Sequence, residues 1–337
     1  MKYYKEHIDE FTSLFNEEEN YIILNDGKPI RENYLNEEDI EITLDDKLDS
    51  RDICGVDRNS DANNVIAMSK FNVYIKINND LTLKIIHLND DESYTTYTIE
   101  VADRKKVKVI DIYSRVDREC SMLTEVLVNN RASLDYFAFS RSEKPMHNYF
   151  NAYVDTRASL TITNLMANEE KYKLLSNVYI YDKYSKVVSH NAIVNDTKND
   201  QEYTYNVYHL EGFSQSEMYN NAICNSSSFI VLNTDGIIKK DAIETELNQK
   251  SKGVLLDKES NIIANPILEI DEYDCKASHG AGVGAIDESD LFYLMSRGIE
   301  RTEAVSLIVN GYIAPVLKQI DDENVIEYVM SIVKEKI

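Results

Sequence analysis

Between Lys70 and Ile270 the chain is built from short segments in which apolar and polar residues alternate. That period of two constrains the fold more than any other feature, because it puts successive side chains on opposite faces of a pleated strand. Phe71 to Ile77, Leu81 to Ile86, Tyr97 to Val101, Val107 to Ile112 and Leu160 to Leu165 all carry it. So do Asn177 to Tyr181, Tyr203 to Tyr208, Ser228 to Leu232 and Gly253 to Leu256. Turn signals recur about every 8 to 12 residues, the spacing of all-β domains. A pair of sandwiches and a β-solenoid both satisfy this pattern, and no fixed-length repeat separates them.

Composition narrows the class. Twenty-three tyrosines and no tryptophan, with only ten glycines and four prolines in 337 residues, exclude collagen-like and low-complexity chains. Tyrosine and β-branched residues favour half-buried pleated surfaces. With so little glycine, turns fall to Asn and Asp, as at Asn78-Asn79-Asp80, Asn89-Asp90-Asp91, Asn129-Asn130 and Asn195-Asp196. Thirty-six basic against 59 acidic residues leave a net charge of −23, which repels phosphate backbones and anionic lipid, so neither nucleic acid nor membrane is expected as a partner. The four cysteines, Cys54, Cys120, Cys224 and Cys275, are too scattered for a disulfide framework. Cys120 and Cys224 read as core residues and Cys54 as an incidental loop residue. A cytoplasmic protein is the expectation.

Both ends depart from the β pattern. Residues 1 to about 25 read as a helix and its exit, with Tyr4, Ile8, Phe11 and Phe15 on one face, followed to residue 65 by a loosely structured acidic connector carrying an isolated strand or two. A β core is expected over 66–283 and a helical module over 284–337. In that module Asp287 is a natural N-cap, Asp290 suits the helix dipole, and Gly298 marks an exit. Leu291, Leu294 and Met295 form one apolar stripe; Ala304, Leu307 and Ile308 form another, closed by Asn310-Gly311. A last helix from Asp322 carries Val325, Val329, Ile332 and Val333.

The junction from Pro266 to Gly298 is the most specific stretch. His279-Gly280-Ala281, Gly284, Asp287, Leu291-Phe292-Tyr293-Leu294 and Ser296-Arg297-Gly298 stand in the order and spacing of the C-terminal signature of the SufB/SufD family, which this chain resembles. The resemblance implies a mainly β fold, a right-handed β-helix with an N-terminal helical segment and a C-terminal helical module. It implies a scaffold of SUF iron–sulfur cluster assembly, not an enzyme. Such a scaffold pairs with a second SufB/SufD-type chain or with its own copy, and docks the ABC-type ATPase SufC. It holds no permanent cofactor and at most a transient cluster. Where SufB-type sequences carry a cysteine six residues before the proline, this chain has Ser260, and Gly280 stands where they have glutamate. Both departures point to a SufD-like chain, or to a merged SufB/SufD-like scaffold.

His279 is the first candidate for chemistry. Read plainly it is a polar residue ending a strand; the resemblance makes it an interface residue implicated in cluster formation and a potential iron ligand. Cys275 lies four residues earlier on the same strand face, but at ~3.3 Å per residue the two Cα atoms are ~13 Å apart, too far to share an ion. Many SufD-type chains place a cysteine where this one has Ala277. Leu291, Phe292, Tyr293 and Arg297 are the SufC-docking candidates, with helix packing as the plain alternative. Gly280, Gly282 and Gly284 form no phosphate loop, since no GxxxxGK[ST] accompanies them. A polysaccharide-active β-helix enzyme is the competing function; acidic residues are abundant, but no distinctive carboxylate constellation appears.

Overall fold

The computed structural model describes residues 13–44, 50–116 and 118–337. Nineteen strands and five helices occupy them. After the first four, which fall two to each sheet, the strands alternate strictly between an odd-numbered and an even-numbered sheet. Odd-numbered strands build a ten-stranded sheet running from β1 (Asn20–Asn25) and β2 (Lys28–Asn33) through β5 (Leu81–Asn89), β7 (Lys106–Val116), β9 (Ser133–Ser140), β11 (Ser159–Met166), β13 (Lys186–Asn195), β15 (Gln215–Cys224) and β17 (Thr245–Leu255) to β19 (Cys275–Ala285). The intervening strands build a nine-stranded sheet from β3 (Ile40–Leu44) and β4 (Asn72–Ile77) to β16 (Phe229–Ile238) and β18 (Asn261–Ile270). Only β1–β2 and β3–β4 pair antiparallel; all other pairs are parallel. This is a two-sided β-solenoid, each coil stacked on the one before.

Stacking explains why no fixed repeat is visible in the sequence. Ser133 lies beside Ser159, 26 residues on, whereas Asn248 lies beside Ser278, 30 residues on. The strands keep register, and the corners absorb the extra residues. The inner faces of the two sheets share one apolar core from Ile22 and Val73 through Tyr136 and Leu174 to Ile230 and Ile262. Polar residues are admitted where the stack pairs them with their like. Asn164 Nδ2 donates to Asn191 Oδ1 and Asn191 Nδ2 to Asn220 Oδ1, both at 2.7 Å, so the fully buried amides form a ladder up the interior. These ladders break the alternation in β13 and β15, which is why periodicity alone passed over both strands.

Turn chemistry differs from expectation. The four Asn/Asp clusters do fall at strand ends and the turns after them, but half of the ten non-glycine left-handed positions among the described residues are held by Arg104, Arg131, Arg157, Tyr184 and Phe213. A bulky residue there costs about 1–2 kcal/mol. The N–H groups of Arg104, Arg131 and Arg157 donate to carbonyls of the next coil at 2.9 to 3.0 Å, offsetting part of that strain. Gly212 is required for a different reason: a Cβ there would meet the Ile243 carbonyl oxygen of the following coil at 2.5 Å.

Three expectations for the ends are corrected. Residues 20–25 are not a helix exit but the buried strand β1, because Ile22 and Leu24 complete the core at the first coil. Phe15 packs on Tyr21 there, while Tyr4, Ile8 and Phe11 lie outside the described residues. The 26–65 stretch carries the strands expected of it, but they are not isolated: β2 and β3 extend the sheets, and α2 (Ser60–Met68) lays Ala62 and Val65 on Leu123 and Tyr149 of the even-numbered sheet. Cys54 ends the short helix α1 (Ser50–Cys54) instead of lying in a loop, whereas Cys120 and Cys224 are core residues as expected, 4% and 0% exposed. Their thiols are pushed up to about 12 by burial.

At the other end α3 (Glu288–Ser296), α4 (Arg301–Leu317) and α5 (Glu323–Glu335) follow the last strand. Asp287 caps α3 by accepting from Ser289 N–H, Asp322 caps α5 by accepting from Val325 N–H, and Gly298 takes φ +88° at the first exit. Asn310 and Gly311 do not close α4, which runs on past them because Ile313 and Val316 bury against the outer face of the odd-numbered sheet. Packing there outweighs the ~1 kcal/mol helix penalty of a glycine. Val309, Ile313, Val316, Val325, Val329, Ile332 and Val333 cover Ile86, Ile110, Phe137, Phe139, Leu165 and Val194. Lys84, almost wholly buried, pairs with Asp322 at 2.5 Å and with Glu19 at 2.9 Å, fastening this cover to the first coils. The module is therefore not separable: without α4 and α5 an apolar sheet face is exposed.

The two sides of α4 should respond differently to truncation. Ile313→Ala is expected to cost about 2–5 kcal/mol in urea unfolding, and Leu307→Ala, on the exposed side, less than about 0.5 kcal/mol. Equal losses would refute the packing assigned to this helix.

Candidate functional site

The Pro266–His279 stretch is the second half of β18, a turn at 271–274 and the start of β19. Glu272 organises that turn, accepting from the N–H groups of Asp241, Tyr273 and Asp274. β18 and β19 are the last strands of their sheets, so each has one edge without a neighbour among the described residues. Their side chains are also open: Ile263, Ile267, Ile270, Tyr273 and Val283 are exposed, Tyr273 fully. The solenoid thus ends in an uncapped coil with apolar and aromatic side chains facing solvent.

His279 sits in the middle of β19 opposite Gln249 of β17 and is exposed. Cys275 and Ala277 pack with Leu247 and Leu268 inside the last coil, so alternation places His279 on that same inward face, at the open end. Cys275 donates its S–H to the Glu272 carbonyl at 3.3 Å, and burial, with Glu272 and Asp274 nearby, holds its thiol above the ordinary range. Four residues of extended strand separate the two side chains, and among the described residues no three of His, Cys, Asp and Glu gather as metal ligands. His279 is thus a single exposed donor. Completing a metal's coordination there requires ligands from elsewhere.

Ser260 closes the preceding turn. Its hydroxyl donates to Asp257 at 2.6 Å and accepts from Ser228 N–H at 3.1 Å. Burial raises the Asp257 pKa, but the bonds from Ser260, Ser227 and Glu259 outweigh it and bring the carboxyl down to about 2. Ser260 is 5% exposed, a turn-fixing residue rather than a surface nucleophile.

The docking candidates divide. Leu291 is fully buried and is corrected from interface to packing residue, because α3 needs one anchor against α4. Phe292 is 74% and Tyr293 58% exposed, with Met295 and Leu307 beside them in the exposed class. The Arg297 guanidinium lies 5.3 Å from the Tyr293 ring centroid, holding the ring by a cation–π contact. Arg301 clasps Glu288 with two bonds of 2.9 and 3.2 Å and ties α3 to α4. A short helix with exposed aromatics on a fixed base is a surface suited to protein contact.

Residues 85–312 match the family described as SUF system FeS cluster assembly, SufBD core domain. The chain belongs to the SufBD family. It is 25% identical over 272 residues to the iron–sulfur cluster assembly protein SufD of Bacillus subtilis, an alignment covering 79% of this chain and 60% of that protein. SufD of Escherichia coli is 30% identical over 129 residues, covering 38% of this chain and 30% of the relative. A SufBD family protein of Pyrococcus horikoshii is 35% identical over 109 residues, covering 31% and 24%. The chain therefore spans at most about 60% of these relatives' lengths. No helix among the described residues is long and apolar enough to cross a membrane.

Sequence reasoning located His279 and the α3 surface but passed over the interior polar residues. Parity was the available signal: His87 follows Leu83 and Ile85, and Asp111 lies between Val109 and Tyr113, in each case on the inward-facing set of its strand.

The raised Cys275 thiol has a measurable consequence. In a Cys54→Ser background Cys275 should alkylate slowly at neutral pH and accelerate only above the ordinary thiol range, and Glu272→Gln should move that rise to lower pH. Rapid alkylation at pH 7 would overturn the assignment.

Proposed function

We propose that this SufBD-family chain is a SufD-like scaffold subunit of iron–sulfur cluster assembly, working at the interface it forms with a second scaffold. The observation that carries this reading is the uncapped last coil, which presents His279 at the end of a sheet whose edge strand has no neighbour among the described residues. An open edge offers N–H and C=O groups that a second chain of the same kind can continue, and exposed Ile267, Ile270 and Tyr273 supply apolar area for the contact. The partner would complete the coordination that one imidazole begins, and sparse ligation suits a cluster that must leave again. The buried, hydrogen-bonded Ser260 supports a SufD-like assignment over a SufB-like one. Family membership favours the scaffold over a polysaccharide-active enzyme.

The second surface is α3. Its exposed Phe292 and Tyr293, on a base fixed by Leu291 and the Arg301–Glu288 pair, support docking of the ATPase SufC. α4 and α5 are committed to the solenoid, so force applied at α3 would pass to the whole coil stack as a rigid body. Scaffold movement could then open or close the His279 interface.

Two measurements separate these roles. His279→Ala should leave the thermal melt and SufC capture unchanged while cutting anaerobic cluster reconstitution at least tenfold; unimpaired reconstitution would make the imidazole a strand residue only. A Phe292→Ala, Tyr293→Ala double variant should lose SufC capture by about 2 kcal/mol or more, the scale of an aromatic hot spot. Retained capture would place docking elsewhere.

A further inference from the structure

Inside the solenoid, near its first complete coils and far along the stack from His279, five side chains converge. Asp111 is fully buried, and His87, Tyr97, Tyr113 and Tyr136 are each no more than 3% exposed. His87 Nε2 lies 2.6 Å from Asp111 Oδ1. The other carboxylate oxygen, Oδ2, accepts from Tyr113 at 3.0 Å and from both Tyr97 and Tyr136. The phenol oxygens also crowd one another, Tyr97 to Tyr113 at 2.8 Å and Tyr97 to Tyr136 at 3.1 Å, and Tyr113 meets Thr124 Oγ1 at 3.1 Å. His87 stacks on Tyr113 with ring centroids 4.6 Å apart.

Hydrogen bonding does not account for this packing. The oxygens of Asp111, Tyr97, Tyr113, Tyr136 and Thr124 make six close contacts, but their hydroxyls supply only four protons. Two contacts are then oxygen against oxygen with nothing between, and a proton on Asp111 would still leave one. Lone pairs brought together in a dry interior repel, unless a shared cation sits among them.

We propose that His87, Asp111, Tyr97, Tyr113 and Tyr136 form a buried binding site for a hard trivalent cation, ferric iron being the abundant one. Carboxylate and phenolate oxygens are hard donors, and imidazole accompanies them on iron. The charges balance. Ferric ion with one carboxylate, two phenolates and a neutral imidazole sums to zero, with the third tyrosine kept as a phenol donor. Binding one ion therefore displaces a proton from each of the two coordinating phenols and changes no oxidation state. All five side chains are sealed inside the solenoid, so loading belongs to folding or to an opening of the coil.

The test is optical and does not depend on cluster assembly. The full chain is isolated from iron-rich cultures and, separately, refolded with ferric nitrilotriacetate. The expected result is one iron per chain, a visible phenolate-to-iron charge-transfer band, and at least two protons released per ion in weak buffer. Tyr97→Phe and Tyr136→Phe keep the ring packing and should each shift or at least halve the band. The triple variant with Tyr113→Phe should lack it, while Tyr203→Phe, a buried tyrosine outside the cluster, should leave it unchanged. Iron bound without the band, a band surviving in the triple variant, or no iron retained by either route overturns the proposal. Any of those outcomes leaves the scaffold reading untouched.

Discussion

Register between coils is the constraint on which the rest of this structure depends. Each parallel strand sets a residue directly over its counterpart about one coil earlier, so a side chain is tolerated only if it packs on its own kind. Valines and isoleucines stack into the core, Tyr153, Tyr179 and Tyr208 stack on the outer face of the even-numbered sheet, and Asn164, Asn191 and Asn220 bond in series. A parallel ladder has no internal means of stopping, since its last strand presents the same unpaired groups as any other.

The two ends handle this differently. At the start, β2 and β3 turn back antiparallel and close the sheets, and Phe15 and Tyr21 pack beneath Arg31. At the far end neither β18 nor β19 is covered among the described residues, and exposed Ile267, Ile270 and Tyr273 stand there among charges such as Glu269, Asp271 and Lys276. One end of the stack turns back on itself, and the other stops on parallel edge strands. The helices follow the same division: α4 and α5 seal a sheet face, while α3 stands clear with its aromatics in solvent.

Much of this was legible beforehand, for identifiable reasons. Local signals survived folding intact wherever they answered local physics. Asp287 and Asp322 cap because a carboxylate next to free N–H groups is favourable in any context, and Gly298 exits because only the backbone conformation matters there. Helix α4 misled because its termination was argued from Asn310-Gly311, a local signal, while its length was decided by burial on the sheet. The first strand misled for the same reason: a short segment with apolar residues is ambiguous until its partner is known.

The sequence by itself determined the period-two segments, the helical tail, and the His279 signature, all properties of neighbours along the chain. It could not determine which residues meet across coils, because coil length drifts between 24 and 32 residues and no repeat announces the pairing. Only tertiary structure joined His87, Tyr97, Asp111 and Tyr136, which come from four different strands, around one carboxylate. Only tertiary structure left β18 and β19 as open edges and withdrew Leu291 from the surface. Contacts set by periodicity and capping are written locally; contacts set by register depend on every corner that precedes them.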